Sequence, residues 1–252
     1  SASYSIQSVS SYNPGAVVVT PTGVRLPNGT LLDTTGTQTQ GLQEAANYAA
    51  DHGWDYFVTA GTYSLNTYLY FPPIQGRAVR MKNVTLNFGS NVTGGAIWID
   101  SCMIADFHVT GTINAPASQY GILFKPTAVV PLDGTLNGAF GCVDSRYHFN
   151  CTINTAGYKV TFDTTNTAVW NGVTGNSVVN DSNFAFPGVR GPGSASVHTI
   201  GSGFTLSNVW DTPRTDDPIP FDLFNPDRVV VVPPVIFGQP GTVYAPGGVQ
   251  IS

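Results

Sequence analysis

The chain has 252 residues, of which 42% are hydrophobic and 12% aromatic, but only 10% are charged and the net charge is -5. Soluble domains ordinarily carry about 25% charged residues, so this surface is polar and mostly neutral, and the hydrophobic content excludes a disordered chain. Ten scattered Lys and Arg residues form no stripe that could neutralise phosphates or anionic lipid, so nucleic acid is not an expected partner. The apolar run Val229 to Val232 stops at Pro233, far short of the roughly 20 residues that span a bilayer, and no membrane insertion is expected.

Along the chain, Ser1-Ala2-Ser3-Tyr4 shows neither a basic region nor an apolar one, and no signal peptide is read in it. Pro14, Pro21 and Pro27 predict an extended arm over residues 1–32. One helix is predicted over residues 38–52, because Leu42, Ala45, Ala46 and Ala49 recur at helical spacing. Thr37-Gln38-Thr39-Gln40 offers a capping-box start, and His52 with Gly53 a normal stop.

From Tyr56 onward the texture is short strand-like runs such as Val84 to Phe88, Ala96 to Ile99, Phe107 to Val109 and Tyr158 to Phe162. They lie too close together for helical crossovers, and few are joined by hairpin dipeptides. A stack of coils exposes an apolar end that a plug must cover, so one early helix followed by strands points to a solenoid. After Trp210, prolines at 213, 218, 220, 226, 233, 234, 240 and 246 predict a tail over residues 210–252. Three cysteines are too few for a disulfide scaffold. A Cys142–Cys151 bond would close a tight loop, and free buried thiols are the equal alternative. Five Asn-x-Ser/Thr sequons, at Asn28, Asn83, Asn91, Asn150 and Asn180, compare with roughly three from composition alone and do not decide the source.

Asp33-Thr-Thr-Gly, then Gly41-Leu-Gln-Glu-Ala-Ala-Asn-Tyr-Ala-Ala50, then Tyr56-Phe-Val-Thr-Ala-Gly-Thr-Tyr63 resembles the opening of pectate-lyase-like proteins, with Ala60 where those commonly place proline. Leu69-Tyr-Phe71 and Ala96 to Gly111 are similar to later coils of that superfamily. The resemblance implies an all-β fold: a single-stranded right-handed parallel β-helix (solenoid) over residues 33–209 with one N-terminal capping α-helix. It implies a fold well and a chemistry poorly.

Alternation along strands places candidate chemistry on the outward face. With Tyr147 and Phe149 inward, Asp144, Arg146 and His148 share the other face, and Asp106 and His108 share one in the same way. Lys125 and the Lys159, Thr161, Asp163 set fall on further coils. Lyase chemistry on uronic acids needs a base and a cation, roles open to Lys125, Arg146 or His148. Glycoside hydrolysis needs two carboxylates, for which Asp106 and Asp144 are candidates. A solvated, self-paired charged face is the competing reading of this row. Trp98 lies between inward Ile97 and Ile99, and Tyr68 and Tyr70 share parity, so sugar rings could pack there. The candidate catalytic residues are thus Asp106, His108, Lys125, Asp144, Arg146 and His148, with Trp98, Lys159 and Asp163 as substrate contacts.

The expected function is an extracellular, secreted or virion-exposed, carbohydrate-active protein that binds and cleaves a polysaccharide as lyase or hydrolase. The alternative is a non-catalytic virion appendage or adhesin, which implies a homotrimer. No cofactor and no metal are predicted; calcium is allowed but not predicted.

Overall fold

The computed structural model describes residues 15–128, 141–143 and 145–170, and beyond them the backbone of short strands between residues 173 and 251. Strands dominate. In order they are β1 (Ala16–Thr20), β2 (Gly23–Arg25), then helix α1 (Leu42–His52), β3 (Asp55–Val58), β4 (Gly61–Leu65), β5 (Leu69–Phe71), β6 (Ile74–Gln75) and β7 (Ala78–Phe88). There follow β8 (Gly95–Ile99), β9 (Cys102–Met103), β10 (Asp106–Ala115), β11 (Tyr120–Phe124), β12 (Gly141–Val143), β13 (Arg146–Thr155) and β14 (Tyr158–Asp163).

These strands are dealt out among separate sheets. The first runs β2-β1-β3-β7-β10-β13, with β4 also on β7; the second runs β14-β11-β8-β5; the third contains β12-β9-β6. Long pairs such as β7/β10 and β10/β13 are parallel. Antiparallel pairs stand among them: β1 with β2, Thr167–Trp170 with Val173–Asn176, and Val243–Tyr244 with Gln250–Ile251. The expected single parallel solenoid is therefore corrected to a mostly β fold of separate sheets with mixed pairing and, among the described residues, one short helix. The physical reason is loop length. Pro21 and Thr22 alone separate β1 from β2, and a connection that short permits only antiparallel return.

The boundaries shift as well. Residues 16–25, expected in an arm, supply β1 and β2, with Val17, Val19 and Val24 fully buried. Strands continue through Phe221–Leu223, Val229–Val232 and Ile236–Phe237, inside the expected tail.

Helix α1 buries the four residues whose spacing predicted it, Leu42, Ala45, Ala46 and Ala49. It starts four residues later than expected because Thr37 and Thr39 do not form a capping box. The Thr37 hydroxyl accepts from the Thr39 and Gly41 amides, and the Thr39 hydroxyl accepts from the Gln43 amide, at 3.1, 3.0 and 3.0 Å. Gly41 at φ 85° turns the chain into the helix, a conformation that glycine adopts without strain. The helix docks on β5, where Gln43 acts like a strand: its Oε1 accepts the Tyr70 amide at 2.7 Å and its Nε2 donates to the Tyr70 carbonyl at 2.8 Å. The backbone groups of this edge strand are thereby satisfied. The core runs between the sheets through Tyr63, Leu86, Phe107, Ile113, Phe124, Tyr147, Phe149 and Phe162. No helix among the described residues is long and apolar enough to cross a membrane.

Candidate functional site

The outward residues of the second sheet build a cleft of about 530 Å³ around Tyr68, Trp98, Asn91 and Lys125, within the usual range of roughly 300–1,000 Å³ for small-molecule sites. Register explains the cluster. Tyr70 on β5, Trp98 on β8 and Leu123 on β11 are direct partners across parallel strands, so their side chains stack outward about 4.8 Å apart. Trp98 meets Tyr70 edge-on at 5.0 Å and tilts toward Tyr68 at 5.9 Å between ring centroids. Tyr68 is 45% exposed, a large aromatic face left to solvent. At the floor, Gly95 leaves room, since a Cβ there would press against Leu123 at 3.0 Å.

The polar end of the cleft is held from two sides. The Trp98 indole N–H donates to the Lys125 carbonyl at 2.8 Å, which fixes the ring. Lys125 Nζ pairs with Asp163 Oδ2 at 2.8 Å, the two side chains being 32% and 10% exposed. Burial pushes the Asp163 carboxyl up, but hydrogen bonds from Lys125 and Thr165 outweigh it and hold the group below its ordinary value. Beneath the aromatic row lies Asp100, fully buried. Its Oδ1 accepts from the amides of Ser101, Thr127 and Ala128 at 2.7, 2.6 and 3.2 Å; its Oδ2 accepts the Tyr70 hydroxyl at 2.7 Å and the Thr127 hydroxyl. Asp100 thus sets the position of Tyr70, and Tyr70 that of Trp98.

A second cluster lies on the first sheet, away from the cleft. Asp106 and His108 on β10 face Arg146 and His148 on β13 in direct register. The imidazoles of His108 and His148 stack at 4.5 Å. Asp106 is bound to Arg80 of β7, at 2.5 Å from Nη2 to its carboxylate and at 2.5 Å from Nη1 to its carbonyl. Burial lowers the His148 pKa, and His108 beside it lowers it further against the opposing pull of Asp106.

The expected site residues therefore divide. Trp98, Lys125 and Asp163 come together at the cleft. Asp106, His108, Arg146 and His148 share the other face, where Asp106 is engaged by Arg80. Asp144, the expected second carboxylate, lies outside the described residues. Lys159, expected as a sugar contact, is corrected: it is 0% exposed, as is neighbouring Thr161, because this part of the sheet face is covered by protein rather than by water. The Cys142–Cys151 bond is also absent, both residues being buried thiols outside any disulfide. Strand pairing sets Cys142 opposite Cys102 and Cys151 opposite Gly111.

Three participants escaped the reading of the sequence. Arg80 shares outward parity with Ala78 on β7, a signal that was available. Asn91 sits in a turn, and Asp100 points into the protein at a strand end, where alternation carries no information. Among the described residues no group of three His, Cys, Asp or Glu side chains gathers as a metal site would. Comparison with protein-family models, with curated proteins and with solved structures returned no match.

Proposed function

We propose that this chain is a carbohydrate-binding protein that seats a saccharide in the cleft of Tyr68, Trp98, Asn91 and Lys125. The observation that carries this reading is the aromatic pair, one ring fixed by its indole hydrogen bond and the other exposed, beside a neutral amide and a cation. Sugars present apolar C–H faces to rings and hydroxyls to amides and ammonium groups, so both halves of the cleft have a use.

Binding rather than cleavage is the activity these groups support. None of the described residues lining the cleft carries a carboxylate, whereas glycoside hydrolysis uses two across the scissile bond. Lys125 Nζ is already paired with the Asp163 carboxylate at 2.8 Å. Trp98 fluorescence titrated with a panel of neutral and uronic oligosaccharides tests the reading. At least one should shift the emission saturably, and Trp98→Ala should weaken its binding about fivefold, or about 1 kcal/mol. Absence of binding across the panel, or undiminished affinity in Trp98→Ala, would refute it. New reducing ends or unsaturated products from the same glycans would overturn the non-catalytic half.

A further inference from the structure

A different face carries an independent feature. On the second halves of the long strands the outward residues fall into two unbroken rows. Thr62 of β4, Thr85 of β7, Thr112 of β10 and Thr152 of β13 are successive register partners, and so are Ser64, Asn87, Asn114 and Asn154. The residues between the rows, Tyr63, Leu86, Ile113 and Ile153, are all fully buried and anchor the face from below. Neither row contains a charge or an aromatic ring.

The array has a fixed repeat in two directions: about 4.8 Å from strand to strand and about 6.7 Å, two residues, along each strand. Its amides are aligned by their own ladder, Asn154 Nδ2 donating to Asn114 Oδ1 at 2.9 Å and Asn114 Nδ2 to Asn87 Oδ1 at 3.3 Å. Each amide retains further donor and acceptor capacity toward solvent, and each threonine presents one methyl and one hydroxyl.

We infer that this array is a binding surface for ice. A rigid, neutral, two-dimensional lattice of donors and acceptors complements a partner that is itself a neutral lattice of donors and acceptors. In ice every molecule both donates and accepts, and the threonine methyls hold water as a cage rather than as tightly bound single molecules. The two rows themselves carry no cation, Arg80, Lys82 and Arg146 lying on the first halves of the same strands, so the array offers nucleic acid or anionic lipid no charge of its own to pair with. A crystalline glycan presents flat sugar faces that call for aromatic rings, and those lie in the cleft, not here. With four ranks of residues the array is small, so growth inhibition should exceed freezing-point depression.

The test is partition of the chain into a slowly growing ice ball, together with inhibition of ice recrystallisation. The intact protein should enter the ice several-fold more than a non-binding protein of similar size and keep ice grains small at micromolar concentration. Thr85→Lys with Thr112→Lys, charged side chains that outward strand positions accommodate, should return both readouts to background. Thr22→Lys, the same change at an exposed turn, should leave them unchanged, with circular dichroism melting confirming that each variant is folded. Partition no better than the control, equal partition by the double variant, or array-dependent capture by microcrystalline cellulose or chitin in place of ice would overturn the inference. Saccharide binding in the cleft is unaffected by any of these outcomes, so the two readings fail separately.

Discussion

Asp100 offers the sharpest test of how the cleft is held. Replacing it with alanine removes an acceptor of five hydrogen bonds and leaves the amides of Ser101, Thr127 and Ala128 and the hydroxyls of Tyr70 and Thr127 without it. Hydrogen bonds to a charged acceptor contribute about 1.5–3 kcal/mol each, and they are not additive. Thr127 and Ala128 are exposed, so water can replace the carboxylate at their donors, and the expected cost of Asp100→Ala is about 3–5 kcal/mol. For a chain of this size that lowers Tm by roughly 6–20 °C. Asp100→Asn behaves differently. Its carbonyl oxygen still accepts the three amides, and its NH2 donates to the two hydroxyls, which can turn to accept, so the loss should stay at about 1–2 kcal/mol. The assay is thermal melting by circular dichroism, with Trp98 emission reporting on the aromatic row through Tyr70. If Asp100→Ala melts within 2 °C of the parent, or below it by no more than Asp100→Asn does, the carboxylate is not the anchor argued here.

Gly111 turns β10 at φ +129°, and a Cβ there would lie 2.0 Å from the Val84 carbonyl oxygen, so Gly111→Ala should cost at least about 3 kcal/mol. Gly76, at φ +61° with nothing within 4 Å, should lose only about 1 kcal/mol as alanine; equal melting temperatures for the two variants would refute the close-packing argument. His148 titrates below its ordinary value through burial first and His108 second, so the folded state binds fewer protons than the unfolded chain. Its contribution to stability is complete above the unfolded value of about 6.5 and is lost as pH falls from there through the folded value. His108→Ala should raise the His148 pKa in an NMR titration, and an unchanged value would remove the neighbour from the explanation. Burial pushes Cys151 up to about 12 and Cys102 well above its ordinary value. Native protein should therefore react slowly with a thiol reagent, whereas denatured protein should expose three thiols without prior reduction. Fewer than three would mean a disulfide.

The sequence by itself determined a mostly β chain with one early helix, because hydrophobic period is a local property. The helical spacing of Leu42, Ala45, Ala46 and Ala49 and the alternation around Phe107, Val109, Tyr147 and Phe149 can each be read without knowing a single neighbour. Alternation also placed Trp98, His108 and His148 outward correctly. Only the tertiary structure decided what meets what. Sheet membership and the mixture of parallel and antiparallel pairs depend on where each strand finds its partner, and the short β1–β2 connection overrode the expected uniform stack. Lys159 is outward by pattern yet buried, because exposure depends on the segments lying over a face and not on the strand alone. The pairing of Lys125 with Asp163, the hold of Arg80 on Asp106 and the rows Thr62 to Thr152 and Ser64 to Asn154 all join residues far apart in the chain. They exist only because register sets them side by side.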